Sequence, residues 1–427
     1  MSRSAALAVA ALLLTAGVAP AVAVDASTVT EAADSTTATG DATSITESSL
    51  GDDTASNRLT PEADTASNNT TRRLSLVGPA TENYSSVELD FAATMAFSGD
   101  RVQSQYQTTL VAIQLEQLQA QSAREAVVDA YLDSIEDELE SLSAAETAAV
   151  RQYETGEVDV RTLLLRFAMV DRRARAMEDS LDRLQRTDAP VPQRLRSIRM
   201  ELEAFQSPIR QHVSGAATGE LKGAVNEIHV AAATEGVVVE MLDDRRYYRN
   251  AIRFDNRAPD SVDQFDGNID RFRSRIAELY PWSYQGSLRR NAEVDTHLAR
   301  NLYRITYRHP QGSIAIYADG GTSDVAREQQ ELILDQLPKT GSTVAVMDNV
   351  TVSVTPTLGD APVLVNVSRT ASGNGSATPL DALVRVNDHT VGRTGEDGRI
   401  WLLPPNDGAY EVRVVQDGTV INVSVSS

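Results

Sequence analysis

The sequence predicts a multidomain protein of α and β parts: an antiparallel coiled-coil-like helical bundle, then a small α+β layer domain, then a C-terminal β-sandwich. Three observations predict it. Apolar residues between about 100 and 213 recur every three or four positions, with little Gly or Pro. From about 222 the period changes to alternation. After 343, short strands recur between Asp-Gly turns. A chain of 427 residues has room for about three domains, and 41% hydrophobic residues are enough to fill their cores.

The N-terminus reads as an address. Arg3 precedes an apolar run from Ala5 to Val18, and Ala21-Val22-Ala23 offers a small-x-small site. These are the parts of a secretory signal peptide over 1–23, cut after Ala23. No twin arginine precedes the run, so the general secretory route is expected. Kept uncut, the segment would reach roughly 20 residues, enough to anchor in a membrane. Residues 24–83 are rich in Thr, Ser, Ala, Asp and Gly, a composition that cannot offset chain entropy. They are read as a linker or stalk, plain or O-glycosylated.

Residues 84–215 carry the bundle. Val128, Leu132, Ile135, Leu139 and Leu142 form one seam; Leu164, Phe167, Val170, Ala174, Met177, Leu181 and Leu184 a second; Leu195, Ile198, Leu202, Phe205 and Ile209 a third. An earlier helix offers Val102, Tyr106, Leu110 and Ile113. Breaks near Gly156 and at Pro190 to Pro192 suit antiparallel neighbours, though the seams leave open a dimeric coiled coil. Residues 161–200 hold ten arginines against five carboxylates, and 124–146 run acidic. Either the basic helix lies against the acidic one, or the arginine stripe docks an acidic partner or anionic surface glycan.

Residues 220–340 read as the α+β domain. Ile228, Val230 and Ala232 alternate, as do Val237, Val239 and Met241. Asp270 to Tyr280 reads as a helix, and Leu302–Tyr307 with Ser313–Tyr317 as a hairpin. A last helix is expected from a cap at Thr322 or Ser323 to Leu337.

Candidate chemistry is sparse. The histidines, His212, His229, His297, His309 and His389, show no metal-ligand spacing. Glu293, Asp295 and His297 alternate and could share a face. Asp266-x-Asn268-x-Asp270 opens like a calcium loop, but Arg271 takes the glycine position and Ala277 that of the closing glutamate. Gly320-Gly321 would precede a helix N-terminus. No catalytic residue, cofactor site or metal site is assigned. Candidate N-glycosylation sequons stand at Asn68, Asn69, Asn83, Asn349, Asn366, Asn374 and Asn422, with none between about 90 and 340.

Composition narrows the classes. The chain has no cysteine, which excludes disulfides, thiolate metal sites and cysteine nucleophiles. A net charge of −21 argues against nucleic acid. Lys222 and Lys339 are its only lysines among 39 basic residues. Abundant carboxylates with almost no lysine suit molar salt, where the Debye length is roughly 3 Å and repulsion is screened. A halophilic protein is expected.

Residues 343–427 read as the β-sandwich. Within them, Gly392, Thr394, Asp397, Gly398, Pro404, Gly408 and Tyr410 match a pattern of glycine turn, Thr-x-x-Asp-Gly, proline and Gly-x-Tyr. This run resembles the carboxypeptidase regulatory-like, or transthyretin-like, module, with Asn387-Asp388 in place of its usual Asn-Gly. The resemblance implies an accessory β-sandwich without catalytic residues. The whole arrangement, including YRHPQGSIAIYADGGTSDVAREQQ, also resembles exported haloarchaeal proteins of unknown function. That likeness implies habitat and secretion, and no activity.

Two classes of function remain. The favoured one is a secreted or cell-surface protein with a structural or interaction role in the envelope, its partner an envelope protein or surface glycan. The alternative is a secreted hydrolase or its regulatory part. A pocket with two convergent carboxylates of displaced pKa would favour the enzyme, and a concave groove without them would favour binding.

Overall fold

The computed structural model describes residues 69–427, apart from 79, 187–193, 222–224, 244, 360–361, 370–376, 388, 407 and 427. The signal peptide with its cut after Ala23, the linker up to 68, the sequons Asn68 and Asn374, and the break at Pro190 to Pro192 lie outside the described residues.

Among the described residues there are six α-helices and seventeen strands. Eight strands form one sheet: β1 (Thr81–Val87), β2 (Val225–Ala233), β3 (Gly236–Asp243), β4 (Arg246–Arg253), β5 (Arg290–His297), β6 (Leu302–His309), β7 (Gly312–Asp319) and β8 (Val325–Ile333). The spatial order is β1-β2-β3-β4-β8-β7-β6-β5, and all neighbours are antiparallel.

Five helices pack on one face of this sheet: α1 (Phe91–Gln117), α2 (Gln121–Glu154), α3 (Val160–Gln185), α4 (Arg194–Ala204) and α5 (Pro208–Thr218). Their starts follow local rules. Asp90 caps α1 by accepting from the Ala93 amide at 2.9 Å, and Asp159 caps α3 by accepting from Thr162 at 2.7 Å. Ser207 caps α5, Pro208 fills its first turn, and Gly219 ends it in the left-handed region.

This layer corrects the expected coiled-coil-like bundle followed by a separate small domain. Val150, Leu164, Phe167, Ile209 and Val213 share one apolar core with Ile228, Val230, Val237, Val239 and Met241 of the sheet. The inner ends of the helices have no core without those strands. Residues of α2, α3 and α4 close a second cluster beyond the sheet, around Leu132, Leu139, Leu181 and Ile198. The fourth expected seam is not a seam: Val102 is 66% exposed, Tyr106 65% and Ile113 44%. The buried side of α1 is Phe97, Thr108 and Leu115 instead.

The expected helix at 322–337 is also corrected. Residues Val325–Ile333 form β8, between β4 and β7 near the middle of the sheet. Arg, Glu and Gln favour a helix by intrinsic propensity, and tertiary contacts override it. Arg327 reaches Glu146, Glu328 accepts from Arg249 at 3.1 Å, and Gln329 donates to the Gln206 carbonyl at 2.7 Å.

The opposite face is covered by three pieces. Helix α6 (Ile269–Leu279) buries Phe272 and Ile276 against Tyr303, Ile305, Ile314 and Ile316. A strap from Arg72 to Ser75, expected to belong to the linker, crosses β4 and β8. The Leu74 amide donates to Glu328 at 3.1 Å, and Arg249 donates to the Leu74 carbonyl at 2.7 Å. Leu403 and Trp401 of the C-terminal sandwich pack on Tyr247, Leu332 and Leu334.

The sandwich has two antiparallel sheets. One holds β9 (Thr343–Met347), β10 (Val350–Thr355), β11 (Val363–Arg369), β12 (Thr378–Pro379) and β15 (Arg399–Leu402). The other holds β13 (Leu383–Val386), β14 (His389–Arg393), β16 (Ala409–Gln416) and β17 (Thr419–Ser426). Alternate valines from both sheets make the core, among them Val352, Val365, Val384, Val412 and Val423. The Thr-x-x-Asp-Gly turn has a physical reason. The Thr394 hydroxyl accepts from the Ala382 amide at 2.9 Å and donates to the Leu380 carbonyl at 2.6 Å. Gly398 has φ +68, and a Cβ there would lie 2.5 Å from the Val367 carbonyl oxygen.

Candidate functional site

The register of the large sheet lets its helix-side face be read as rows. One row runs Val230, Val239, Asn250, Gln329, Ala315, Thr306, Glu293 across β2, β3, β4, β8, β7, β6 and β5. The next runs Ile228, Met241, Tyr248, Glu331, Ser313, Arg308, Arg290. Both rows start apolar; the first turns polar at β4, with Asn250, and the second at β8, with Glu331. The apolar end lies under α3 and α5. The polar end is uncovered beside the turn that starts α5, and there the surface dips into a cleft of about 470 Å³.

Asn250 stands at the inner wall of this cleft. It is 4% exposed, and its Oδ1, itself closed off from the cleft, has no hydrogen-bond partner among the described residues. A buried acceptor left unpaired costs free energy, on the order of 1–3 kcal/mol. Gln329 fixes the neighbouring wall by donating to the Gln206 carbonyl. Glu331 pairs with Arg246, which neutralises one carboxylate of the cleft. Arg308 lines the cleft, and its register partner on β5, Arg290, stands beside a register shift and is not part of the lining; among the described residues neither makes an ion pair.

A third row, Val237, Ile252, Arg327, Tyr317, Arg304, Asp295, closes the site from behind. Here Glu146 of α2 is buried between Arg210 of α5 and Arg327 of β8. Burial works to raise the Glu146 carboxyl, and the two guanidiniums overcome it, so it lies below the usual carboxylate range. Arg210 also lies 4.6 Å from the Phe167 ring, and Arg327 5.3 Å from that of Phe205. The triad ties two helices to the sheet at the cleft's edge.

The other face holds a second network, at the junction with the sandwich. The fully buried His229 places Nδ1 3.1 Å from Glu240 and Nε2 3.2 Å from Glu82. Burial opposes its protonation, but the bonds to Glu240 and Glu82 prevail and its pKa is pushed up to about 9. Glu240 is pushed down to about 2: burial would raise it, and His229 and Arg249 outweigh that. Glu227 is pushed up to about 7 by burial. These carboxylates hold the sandwich. Glu227 accepts from the Leu403 amide at 3.0 Å, Glu82 from the Asn406 amide at 3.0 Å, and the Tyr84 hydroxyl donates to the Leu403 carbonyl at 2.8 Å. Tyr84 also stacks on His389 at 4.4 Å.

The residues singled out from sequence are dispersed. Glu293 faces the cleft, Asp295 lies 3.5 Å from Arg304, and His297 lies 3.3 Å from Glu201. Asn268 caps α6, accepting from the Asp270 amide at 2.8 Å and the Arg271 amide at 3.2 Å. Among the described residues no cluster of His, Asp and Glu could hold a metal. Gly320-Gly321 sits in the β7–β8 turn, with no helix following. The arginine stripe is largely engaged within the chain: Arg194 with Asp133 and Glu136, Arg173 with Asp100, Arg161 with Asp90, Arg175 with Asp171. Asn69, Asn83, Asn349 and Asn422 are exposed, and Asn366 is half-buried within β11. Sequence reasoning missed Asn250, Gln329 and Arg308. The available signal was the run RYYRNAIR, which puts an amide on the inward side of an apolar strand.

Comparison with known families gives three matches. The model of a domain of unknown function (DUF7096) matches residues 1–222, more than half of the 427, so the chain belongs to that family. A family of unknown function (DUF7094) matches residues 228–338, and an archaeal fibronectin-III type-like domain matches residues 341–423. The C-terminal likeness is thus to a fibronectin-III type-like β-sandwich, in place of the expected carboxypeptidase regulatory-like one. No curated protein and no solved structure matches the chain. Among the described residues no helix is long and apolar enough to cross a membrane.

Proposed function

We propose that the chain is an exported, halophilic protein of the archaeal envelope, and that it acts by binding a polar ligand rather than by transforming one. The observation that carries this reading is the open cleft of about 470 Å³ at the polar end of the sheet. Its size lies within the range of ordinary ligand sites. Glu227, His229 and Glu240, whose pKa values are far displaced, line other contacts and join the sheet to the sandwich. The signal-like N-terminus, the two lysines in 427 residues and the likeness to an archaeal fibronectin-III type-like domain support the location. On this reading Asn69, Asn83, Asn349 and Asn422 are the sequons best placed to carry glycans.

The test has two parts. Expression in a halophilic host, fractionation and mass spectrometry of the mature N-terminus would place the protein; a cytoplasmic chain with Met1 intact contradicts export. Binding of the purified protein to isolated envelopes would then be compared with that of Ala315→Trp, which fills the cleft floor. Loss of binding in the variant, with unfolding unchanged, supports the cleft as the ligand seat. Equal binding contradicts it.

A further inference from the structure

We propose that the chain pairs with a second copy of itself through the outward face of α1, apolar stripe against apolar stripe. This pairing is separate from the cleft and does not rest on its reading.

Five large apolar side chains of α1 stand in solvent: Phe91 at 78% exposure, Met95 at 62%, Val102 at 66%, Tyr106 at 65% and Ile113 at 44%. Among the described residues, α2 to α5 leave no large apolar side chain exposed. The five are ordered. Phe91, Val102 and Ile113 follow one another at eleven-residue spacing, and so do Met95 and Tyr106. At about 100° per residue, eleven residues return to within about 20° of the starting direction, so all five fall in an arc of about 60°. The stripe therefore runs straight along the helix, for about 33 Å. The buried side of α1, with Phe97, Thr108 and Leu115, faces the other way. Only three of the 27 residues of α1 are charged, Asp100, Arg101 and Glu116, and none falls within the arc.

Area and charge select a second copy as the occupant. At these exposures the five side chains present about 600 Å² per copy, the upper end for an apolar patch on an ordinary monomer. Two facing stripes would remove up to about 1,200 Å² from water, the lower bound for a specific interface. Ser98, Gly99 and Thr109 border the stripe with small side chains, and the space over Gly99 is open, so two helices can approach closely. Copies with a net charge of −21 repel each other, and they do so least where the surface carries no charge. At about 1 M salt that repulsion is screened while the apolar contact persists. A membrane surface is a poorer fit, because helices that lie on anionic lipid carry Lys and Arg along their polar face, and α1 has Arg101 alone. Residues 24–68 are rich in Thr, Ser and Asp and offer no apolar run to match the stripe. One patch that complements itself closes into a twofold dimer.

The experiment is sedimentation equilibrium of the purified full chain in molar salt. The parent is expected to be dimeric at about 10–100 μM. Val102→Glu and Tyr106→Glu, both at exposed positions, should each raise the dimer dissociation constant about tenfold or more, with the circular dichroism unchanged. Gln107→Glu adds the same charge on an exposed flank of α1, about 100° from the stripe, and should leave the constant within about twofold. A parent that stays monomeric over this range would overturn the proposal, and so would a dimer that both stripe variants leave intact. A monomer that sediments with phosphatidylglycerol vesicles, and no longer does so as Val102→Glu, would also overturn it, by giving the stripe to a membrane.

Discussion

The two ends of one sheet face are built from the same backbone and do opposite things. Across β2 and β3 the inward residues are Ile228, Val230, Val239 and Met241, all essentially buried under helices. Across β8, β7 and β6 the same rows continue as Gln329, Glu331, Ser313, Thr306 and Arg308, uncovered beside α5. The hydrophobic effect needs a partner layer to act on, so the apolar end recruits one. The polar end gains nothing from cover and stays accessible. One face therefore serves as foundation at one end and as surface at the other, with the Arg210–Glu146–Arg327 triad at the border.

The border gives the largest expected effect. Glu146→Ala would leave two buried guanidiniums without a counter-charge, and breaking such a group costs on the order of 3–5 kcal/mol. Urea unfolding should show that loss; an unfolding curve like that of the parent would mean the triad is not the tie described here. The comparison is sharpened within a single row. Met241→Ala, at the covered end, should cost about 2–5 kcal/mol. Ser313→Ala, at the open end of that row, should stay within about 0.5 kcal/mol. Similar costs at both positions would remove the distinction between foundation and surface.

A smaller effect is expected on the opposite face, where docking of the sandwich should depend on pH. His229 titrates at about 9 when folded, above its unfolded value, so its contribution is full below about 6.5 and is lost as pH rises through 9. Glu227, raised to about 7, withdraws stability as pH climbs from about 4.5 to 7. Glu240, lowered to about 2, contributes above about 4.5 and fails only as pH falls through 2. Glu82 is also lowered: burial would raise it, and its bonds to His229 and Asn406 outweigh that, so it too favours docking until acid is reached. Protection of the Leu403 and Asn406 amides, taken relative to the intrinsic exchange rate at each pH, should fall on the alkaline side, and His229→Gln should remove the step near 9. Protection that stays constant between about pH 7 and 10 would contradict this junction. Smallest of all, peptide mapping should find glycan on the exposed Asn349 and Asn422 in preference to Asn366, which lies within β11.

Much of the strand content was legible because alternation is a local signal. Ile228, Val230 and Ala232 announce β2, and the valines of the sandwich announce its core. The helices were legible as helices but not in their packing. A spacing of three and four names a buried face without saying what covers it, and here a sheet far along the chain does so. Val102, Tyr106 and Ile113 satisfied that spacing and point outward. β8 was hidden because Arg327, Glu328, Gln329 and Gln330 are helix formers whose partners come from Glu146, Arg249, Gln206 and Arg72. The cleft was hidden for a related reason. Asn250, Gln329 and Arg308 become neighbours only through the non-sequential order β4-β8-β7-β6.

The most direct test is binding of the purified full chain to isolated envelopes, with the cleft-filling Ala315→Trp beside it. The account predicts that the parent binds and that the variant, equally stable to unfolding, does not. Equal binding by the two would contradict it.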